Sequence, residues 1–442
     1  MIQVAQILFI LSILVILHEF GHYLTAKMFK VKVEKFYLFM DAGFSVVKKK
    51  IGETEWGIGW LPLGGYVKLA GMIDESMDTE QLKQEPQPWE FRAKPAWQRL
   101  IIMLGGIIVN VLLAWGIFTV LYTTYGQKYI STEVVQKNGL MFGDAGLNAG
   151  FKNGDKIVSV DGKLQDRFNR MTLDVLLGNE IIVERDGKLE TIILTDEHKK
   201  DILGLEGKQF MMPRLMDVQI DSVIPDASLN KAGILPNDKI VSLNNQPIVY
   251  FDELKTALDQ NKGENITLGI VRDNQPINVD VVVGKDATLG FIPKFADLSD
   301  SQVVNKLSFG QALKAGIDES YQLIVYNIKQ FKLILSPKTE AYKQVKSPIG
   351  IARMLPDTWN WEFIWSFTAL FSIGLAFMNI LPIPGLDGGH ALFTIAEMIT
   401  GKKLSEKTMG YVQTVGMIIL LTLMVLTFGK DIYELIADKL IK

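Results

Sequence analysis

The sequence predicts a multi-pass α-helical membrane protein with four transmembrane helices, a membrane-associated β-hairpin region and two inserted α+β domains. Three observations carry this prediction. Four apolar stretches are long enough to cross a bilayer, which takes about 20 residues. Basic residues gather in the loops on one side of those stretches. The long segment between the second and third stretches contains an internal repeat. The 442 residues exceed one ordinary core, and 48% apolar beside 21% charged residues fits bilayer segments joined to water-soluble domains.

In chain order, residues 1–30 form the first transmembrane helix and 31–92 a cytoplasmic, membrane-associated β-hairpin region. Residues 93–125 form the second transmembrane helix, and 126–210 and 211–295 the two inserted domains. Residues 296–361 hold an amphipathic helix and linker, 362–400 the third transmembrane helix, and 401–442 the fourth with a C-terminal tail.

The apolar stretches themselves cover residues 2–28, 97–122, 363–381 and 412–428. The first has no basic n-region and no A-x-A site, and it runs straight into ionisable residues, so it reads as an uncleaved span rather than a signal peptide. Lys27, Lys30, Lys32 and Lys35 follow it, then Lys48, Lys49 and Lys50. Arg92, Lys94 and Arg99 precede the second stretch, and Lys402, Lys403 and Lys407 lie between the third and fourth. By the positive-inside rule, residues 31–92 and 400–410 are cytoplasmic, and both termini and the long inserted segment are extracytoplasmic. Within 31–69, apolar and polar residues alternate around Gly52 and Gly64-Gly65, as in hairpin strands. Trp56, Trp60 and Tyr66 suit a position beside the bilayer surface.

The repeat is explicit. Ala149-Gly150-Phe151-Lys152-Asn153-Gly154-Asp155-Lys156-Ile157-Val158-Ser159 recurs as Ala232-Gly233-Ile234-Leu235-Pro236-Asn237-Asp238-Lys239-Ile240-Val241-Ser242. Downstream, Val183 to Lys188 is echoed by Ile270 to Gln275, and each copy reaches a Leu-Gly pair, Leu203-Gly204 and Leu289-Gly290. The pattern resembles tandem bacterial PDZ domains, whose strand and adjoining groove accept extended peptides or chain ends; a pair of packing spacers without ligand is the plainer reading. The second copy has a helix-like stretch at 251–260, whereas the first is irregular near 168–178. Spaced apolar residues over 307–335 predict an amphipathic helix leading back towards the bilayer, and a coiled partner-binding surface fits that stretch equally.

Charge and composition exclude some classes. A net charge of −3 with no basic stripe speaks against nucleic acid as a partner. The absence of cysteine excludes disulfides, thiolate metal ligands and a thiol nucleophile.

Of four histidines, two lie four residues apart inside the first stretch, in His18-Glu19-Phe20-Gly21-His22. Residues four apart share a helix face, so both imidazoles can reach one Zn²⁺, with Glu19 beside them to take a proton from water. Ionisable groups at membrane depth are costly and usually functional; a satisfied interior polar cluster is the plainer alternative. A catalytic zinc needs a third protein ligand and an open position. His198, in the charged stretch 196–201, reads as a solvated loop residue. A better source is Asn379-Ile380-Leu381-Pro382-Ile383-Pro384-Gly385-Leu386-Asp387-Gly388-Gly389-His390 at the end of the third stretch. Its prolines break the helix and its glycines allow tight turning. An acidic residue there calls for a cation, and His390 competes with Asp387 for the role.

The HExxH of the first stretch, the NxxPxPxLDGG of the third and the PDZ-like repeats between them together resemble the site-2 protease family of intramembrane zinc metalloproteases. Within it they are most similar to the bacterial regulator of sigma-E protease branch, over nearly the whole chain. The resemblance implies one Zn²⁺ held by His18, His22 and Asp387, Glu19 as catalytic base, and Asn379 touching the substrate backbone or the oxyanion. It implies that Leu61-Pro62-Leu63-Gly64-Gly65-Tyr66-Val67-Lys68 is the hairpin that pairs with unwound substrate, so that Gly64, Gly65 and Tyr66 bind it. It further implies a bacterial cytoplasmic (inner) membrane and single-span substrates such as anti-sigma factors, with remnant signal peptides a second class. An upstream site-1-type protease would trim those substrates, and the PDZ-like pair would filter them by size. One departure stands out: Gly106-Ile107-Ile108-Val109-Asn110 lacks the proline of the family's Gly-Pro-x-x-Asn element, which leaves a local kink and the role of Asn110 open. Ser347 to Ala352 resembles a family stretch read as a turn. Two rivals fit less well. A metal transporter would place polar residues on several spans, whereas residues 100–115 carry only Asn110. A non-catalytic scaffold with a structural zinc would have no use for Glu19.

Overall fold

A computed structural model describes residues 2–440 apart from 63, 73–84, 206–209, 226, 296–297 and 404; Leu63 of the hairpin motif therefore lies outside the described residues. Two compact units divide the chain. One holds Met1–Gln127, Lys306–Phe331 and Gln344–Lys442, the other Lys128–Asn305 and Lys332–Lys343.

Among the described residues, four helices are long and apolar enough to cross a membrane: Ile2–Met28, Ala96–Tyr125, Trp361–Ile380 and the portion Thr408–Glu434 of a longer helix. Where lipid is the solvent, helices associate through close packing rather than by excluding water, and small residues let backbones approach. Gly21 and Gly105 do this between the first two helices: a Cβ at Gly105 would lie 2.6 Å from the Gly21 carbonyl oxygen. The second helix runs without interruption through Ile107, so the missing proline leaves no break there. The amphipathic stretch forms the helix Phe309–Leu335. It meets the second helix at Gly316, beside Trp115 and Thr119, and the Trp115 indole donates to the Leu313 carbonyl at 3.0 Å.

The third helix stops at Ile380 because the following residues cannot extend it. Pro382 and Pro384 lack amide hydrogens, and Gly385 takes a left-handed φ of +92°. The chain resumes as a separate helix, Asp387–Thr400, with Asp387 as its first residue. Gly388 and Gly389 are pressed against the Ile380, Leu381 and Ile383 carbonyls, where no side chain fits. The helix that contains Thr408–Glu434 seats Gly416 against Pro384. Further along it, the buried Asp431 carboxylate accepts from the amides of Ser347 and Gly350 at 2.7 and 3.1 Å. Residues read as a turn from sequence are thus a short helix, Pro348–Ala352, capped by a distant carboxylate.

The segment between the first two helices forms one four-stranded sheet: β1 (Val33–Leu38), β2 (Met40–Ile51), β3 (Thr54–Leu61) and β4 (Tyr66–Leu69). Its order is β2-β3-β1-β4, with β1 and β3 parallel and the other pairs antiparallel. Simple hairpins would have paired β1 with β2. Instead the chain reverses at Phe39, φ +65°, and β3 slots between β1 and β2. Gly57 makes that pairing possible, because the Tyr37 ring occupies the space its Cβ would need. Trp56 packs at a tilt against Phe36 and meets Tyr23 of the first helix, which docks the sheet on that helix.

In the second unit the sequence repeat becomes a structural one. Lys156–Val160, Lys163–Leu164, the helix Phe168–Leu177, Glu180–Arg185 and Lys188–Ile193 match Lys239–Leu243, Gln246–Pro247, Phe251–Gln260, Asn265–Arg272 and Gln275–Val282. The two sheets have the same strand order. The stretch expected to be irregular, 168–178, contains a regular helix, because Met171 and Val175, one turn apart, drive into the core of the first copy. His198 also differs from expectation: it lies on a short helix, Asp196–Leu203, and its side chain and that of Thr195 complete a capping box.

Each copy buries an aspartate against an arginine. Arg185 grips Asp155 through Nε and a terminal nitrogen, both at 2.7 Å, and Arg272 grips Asp238 at 2.8 and 2.6 Å. Both arginines also donate to a glycine carbonyl, Gly150 or Gly233. Burial raises the Asp238 pKa, but hydrogen bonds from Arg272 and from the Leu235 amide outweigh it and hold the group below the ordinary carboxylate value. A depressed folded pKa means stability that is present above the unfolded value, about 3.9, and lost as pH falls through the folded value. We expect amide-exchange protection of Lys239–Leu243 to fall on acidification below about pH 4, and Asp238→Asn to remove most of that pH dependence.

Candidate metal centre and active site

The first helix puts His18 and His22 on one face, and the helix break brings Asp387 to them. The His18 and His22 Nε2 atoms lie 3.4 Å apart, and each is 3.2 Å from Asp387 Oδ2. These three are the group whose ligand atoms converge among the described residues. Ligands placed tetrahedrally about 2.0–2.1 Å from a zinc ion are separated by about 3.3 Å. The observed triangle therefore has the size of one tetrahedral face. Asp387 Oδ2 is buried and has no hydrogen-bond partner, as expected of an atom that needs a cation. His22 Nδ1 lies 2.9 Å from the Ile102 carbonyl, which can only accept, so the ring proton is on Nδ1 and the Nε2 lone pair faces the centre. Donor set, spacing and tautomer fit Zn²⁺.

Around this triangle is a cavity of about 700 Å³. Glu19 lines it and accepts a hydrogen bond from the Val67 backbone of β4. Asn379, buried on the last turn of the third helix, has Nδ2 3.3 Å from His18 Nε2. Gly64, Gly65 and Tyr66 line the same cavity. Gly65 abuts Val15 of the first helix and the Tyr37 carbonyl, where no side chain fits, and the Tyr66 hydroxyl donates to Asp41 at 3.0 Å. Every site residue expected from sequence thus borders one space. His390 borders it too, but its ring nitrogen is hydrogen-bonded to Gln413 of the last long helix.

Sequence reasoning passed over several contributors. Gly106 is one: a Cβ there would sit 2.6 Å from both His18 Cε1 and His22 Nε2. The Ile102 carbonyl, the Val67 amide and Gln413 are others. Backbone groups carry no residue-type signal, but Gly106 and Asn110, four apart on the second helix, mark the face turned to the histidines.

Alanine is the better helix former, by about 1 kcal/mol over glycine, yet Gly106→Ala should weaken zinc binding by about tenfold or more, since its methyl displaces both imidazoles. Chelator competition on the purified protein measures this. Asp387→Ala should lose the metal in the same assay, and stoichiometric retention would point to His390.

Residues 6–423 match the description of peptidase family M50. The chain is similar to the regulator of sigma-E protease RseP of Escherichia coli, 27% identical over 98% of this chain and 99% of that one. It is also similar to the regulator of sigma E protease of Haemophilus influenzae, 26% identical over 96% and 97%. A Neisseria meningitidis protein carrying a zinc metalloprotease name is 27% identical over 97% and 98%. With four apolar helices around the histidines and matches along the whole chain, this protein belongs to peptidase family M50, the site-2 proteases, and is a zinc metalloprotease.

Proposed function

We propose that the chain hydrolyses peptide bonds inside the transmembrane segments of single-span proteins already trimmed outside the membrane. The observation that carries this reading is the His18–His22–Asp387 triangle, within an apolar helix layer and open to a cavity that β4 also borders. One Zn²⁺ per chain would be held by those three residues; as a Lewis acid it would polarise the scissile carbonyl and make water more acidic. Glu19 receives the proton from the attacking water and passes it to the leaving amine. Asn379 holds the carbonyl oxygen or the neighbouring substrate backbone through its amide.

A helical substrate shields its carbonyls in hydrogen bonds, so it has to unwind before attack. β4 is an outer strand of its sheet and lines the cavity, which favours strand addition by the unwound segment. Gly64, Gly65 and Tyr66 would receive it. The two repeat copies, read as PDZ-like domains, would act outside as a size filter that admits substrates cut by a site-1-type protease. RseP-named relatives favour anti-sigma factors as substrates, with remnant signal peptides as a second class. In this reading the chain lies in a bacterial inner membrane, with both termini and the repeats extracytoplasmic and residues 31–92 and 400–410 cytoplasmic.

The decisive variant is Glu19→Gln. It should lower cleavage of a transmembrane peptide in detergent by about 10²–10⁴-fold while zinc content stays stoichiometric, and a chelator should abolish wild-type cleavage. A wild-type rate in the variant would reject the mechanism. The filter has its own test: removing residues 139–292 should admit substrates with bulky external domains, and unchanged discrimination would reject it.

A further inference from the structure

We propose that Asn110 of the second spanning helix is a positioning residue for His18, its Oδ1 accepting the His18 Nδ1 proton so that the Nε2 lone pair faces the metal position. The proposal rests on the reading of His18 as a ligand. Asn110 is fully buried, with its amide 3.1 Å from His18 Nδ1, and it is the polar residue in the apolar run 100–115. An unpaired amide at such depth is costly. Two features hold it in place. Gly106, one turn earlier on the same face, leaves room for the imidazole, and Ser372 of the third helix donates to the Asn110 backbone carbonyl at 2.7 Å.

His22 shows the same arrangement with a backbone acceptor. A neutral imidazole has one N–H, and presenting Nε2 to a metal puts that proton on Nδ1. For His22 the acceptor is the Ile102 carbonyl. For His18 the group opposite Nδ1 is the Asn110 amide, so it has to accept, which only Oδ1 can do. The oxygen and nitrogen of an amide exchange places by a half-turn at nearly the same shape. With nitrogen turned to His18, Asn110 Oδ1 is buried without a partner. The half-turn gives Oδ1 the His18 proton as its partner and carries the NH2 to the side where Oδ1 stood. Histidine ligands commonly have such a partner, whose loss typically weakens metal binding 10–100-fold.

The test is the zinc dissociation constant of full-length protein, by chelator competition, for wild type, Asn110→Asp, Asn110→Leu and His18→Ala. Leucine should weaken binding by about 10–100-fold. Aspartate, nearly the same shape and always an acceptor, should stay within a few-fold of wild type. That rescue distinguishes an acceptor from a residue that merely packs. Aspartate weakening binding as much as leucine would overturn the proposal, because the amide would then be donating. Wild-type affinity in Asn110→Leu with loss in His18→Ala would overturn Asn110's role alone, whereas wild-type affinity in His18→Ala would overturn the ligand reading beneath it. Should the leucine variant fail to accumulate, the aspartate variant against wild type decides by itself.

Discussion

A carboxylate and two imidazole lone pairs, all turned inward in an apolar surround, repel one another unless a cation sits between them. Asp387, His18 and His22 stand in that relation, with Asp387 Oδ2 lacking any hydrogen bond. Much of the membrane unit serves to hold the three together. The Gly21–Gly105 contact sets how closely the first two helices approach, and Gly106 makes space for the rings. The prolines and glycines after Ile380 turn the chain so that Asp387 opens a new helix beside them. Gly21, Gly105, Gly106, Gly388 and Gly389 have no room for a side chain, whereas the prolines and Gly385 act through the backbone.

The sheet brings a second constraint to the same place. An outer strand usually needs protection, because its unpaired backbone groups invite another chain. Here β4 lies at the sheet's margin and borders the cavity that holds Glu19. Its placement follows from the reversal at Phe39 and the insertion of β3 beside β1, made possible by the bare surface of Gly57 under Tyr37. A simple meander would have paired β4 with β3; here its inner neighbour is β1.

In the unit that holds Lys128–Asn305, repetition in the sequence and repetition in the structure coincide. The Asp-Lys of each copy supplies a buried carboxylate, and the arginine some thirty residues later closes on it with two parallel hydrogen bonds and a third to a glycine carbonyl. Such forks demand one geometry, which is why the two copies keep the same strand order although many other positions differ. Where the first copy reads as irregular, burial of Met171 and Val175 fixes a helix.

Much of the site was legible in the sequence because its side chains are chemically costly where they stand. Two histidines, a glutamate and an aspartate among Ile, Leu and Val stand out by composition, and prolines announce a helix break. The spans, the repeat and the hairpin region follow from hydropathy, periodicity and turn residues, which are local properties. What the tertiary structure decided is what depends on through-space contact. The mixed order of the sheet, the capping of Pro348–Ala352 by Asp431, and the pairing of His22 with the Ile102 carbonyl join residues 80 or more apart, or backbone groups that every residue has. The choice between Asp387 and His390 is of the same kind. Three residues of sequence separate them, and only the fold turns one to the histidines and the other to Gln413.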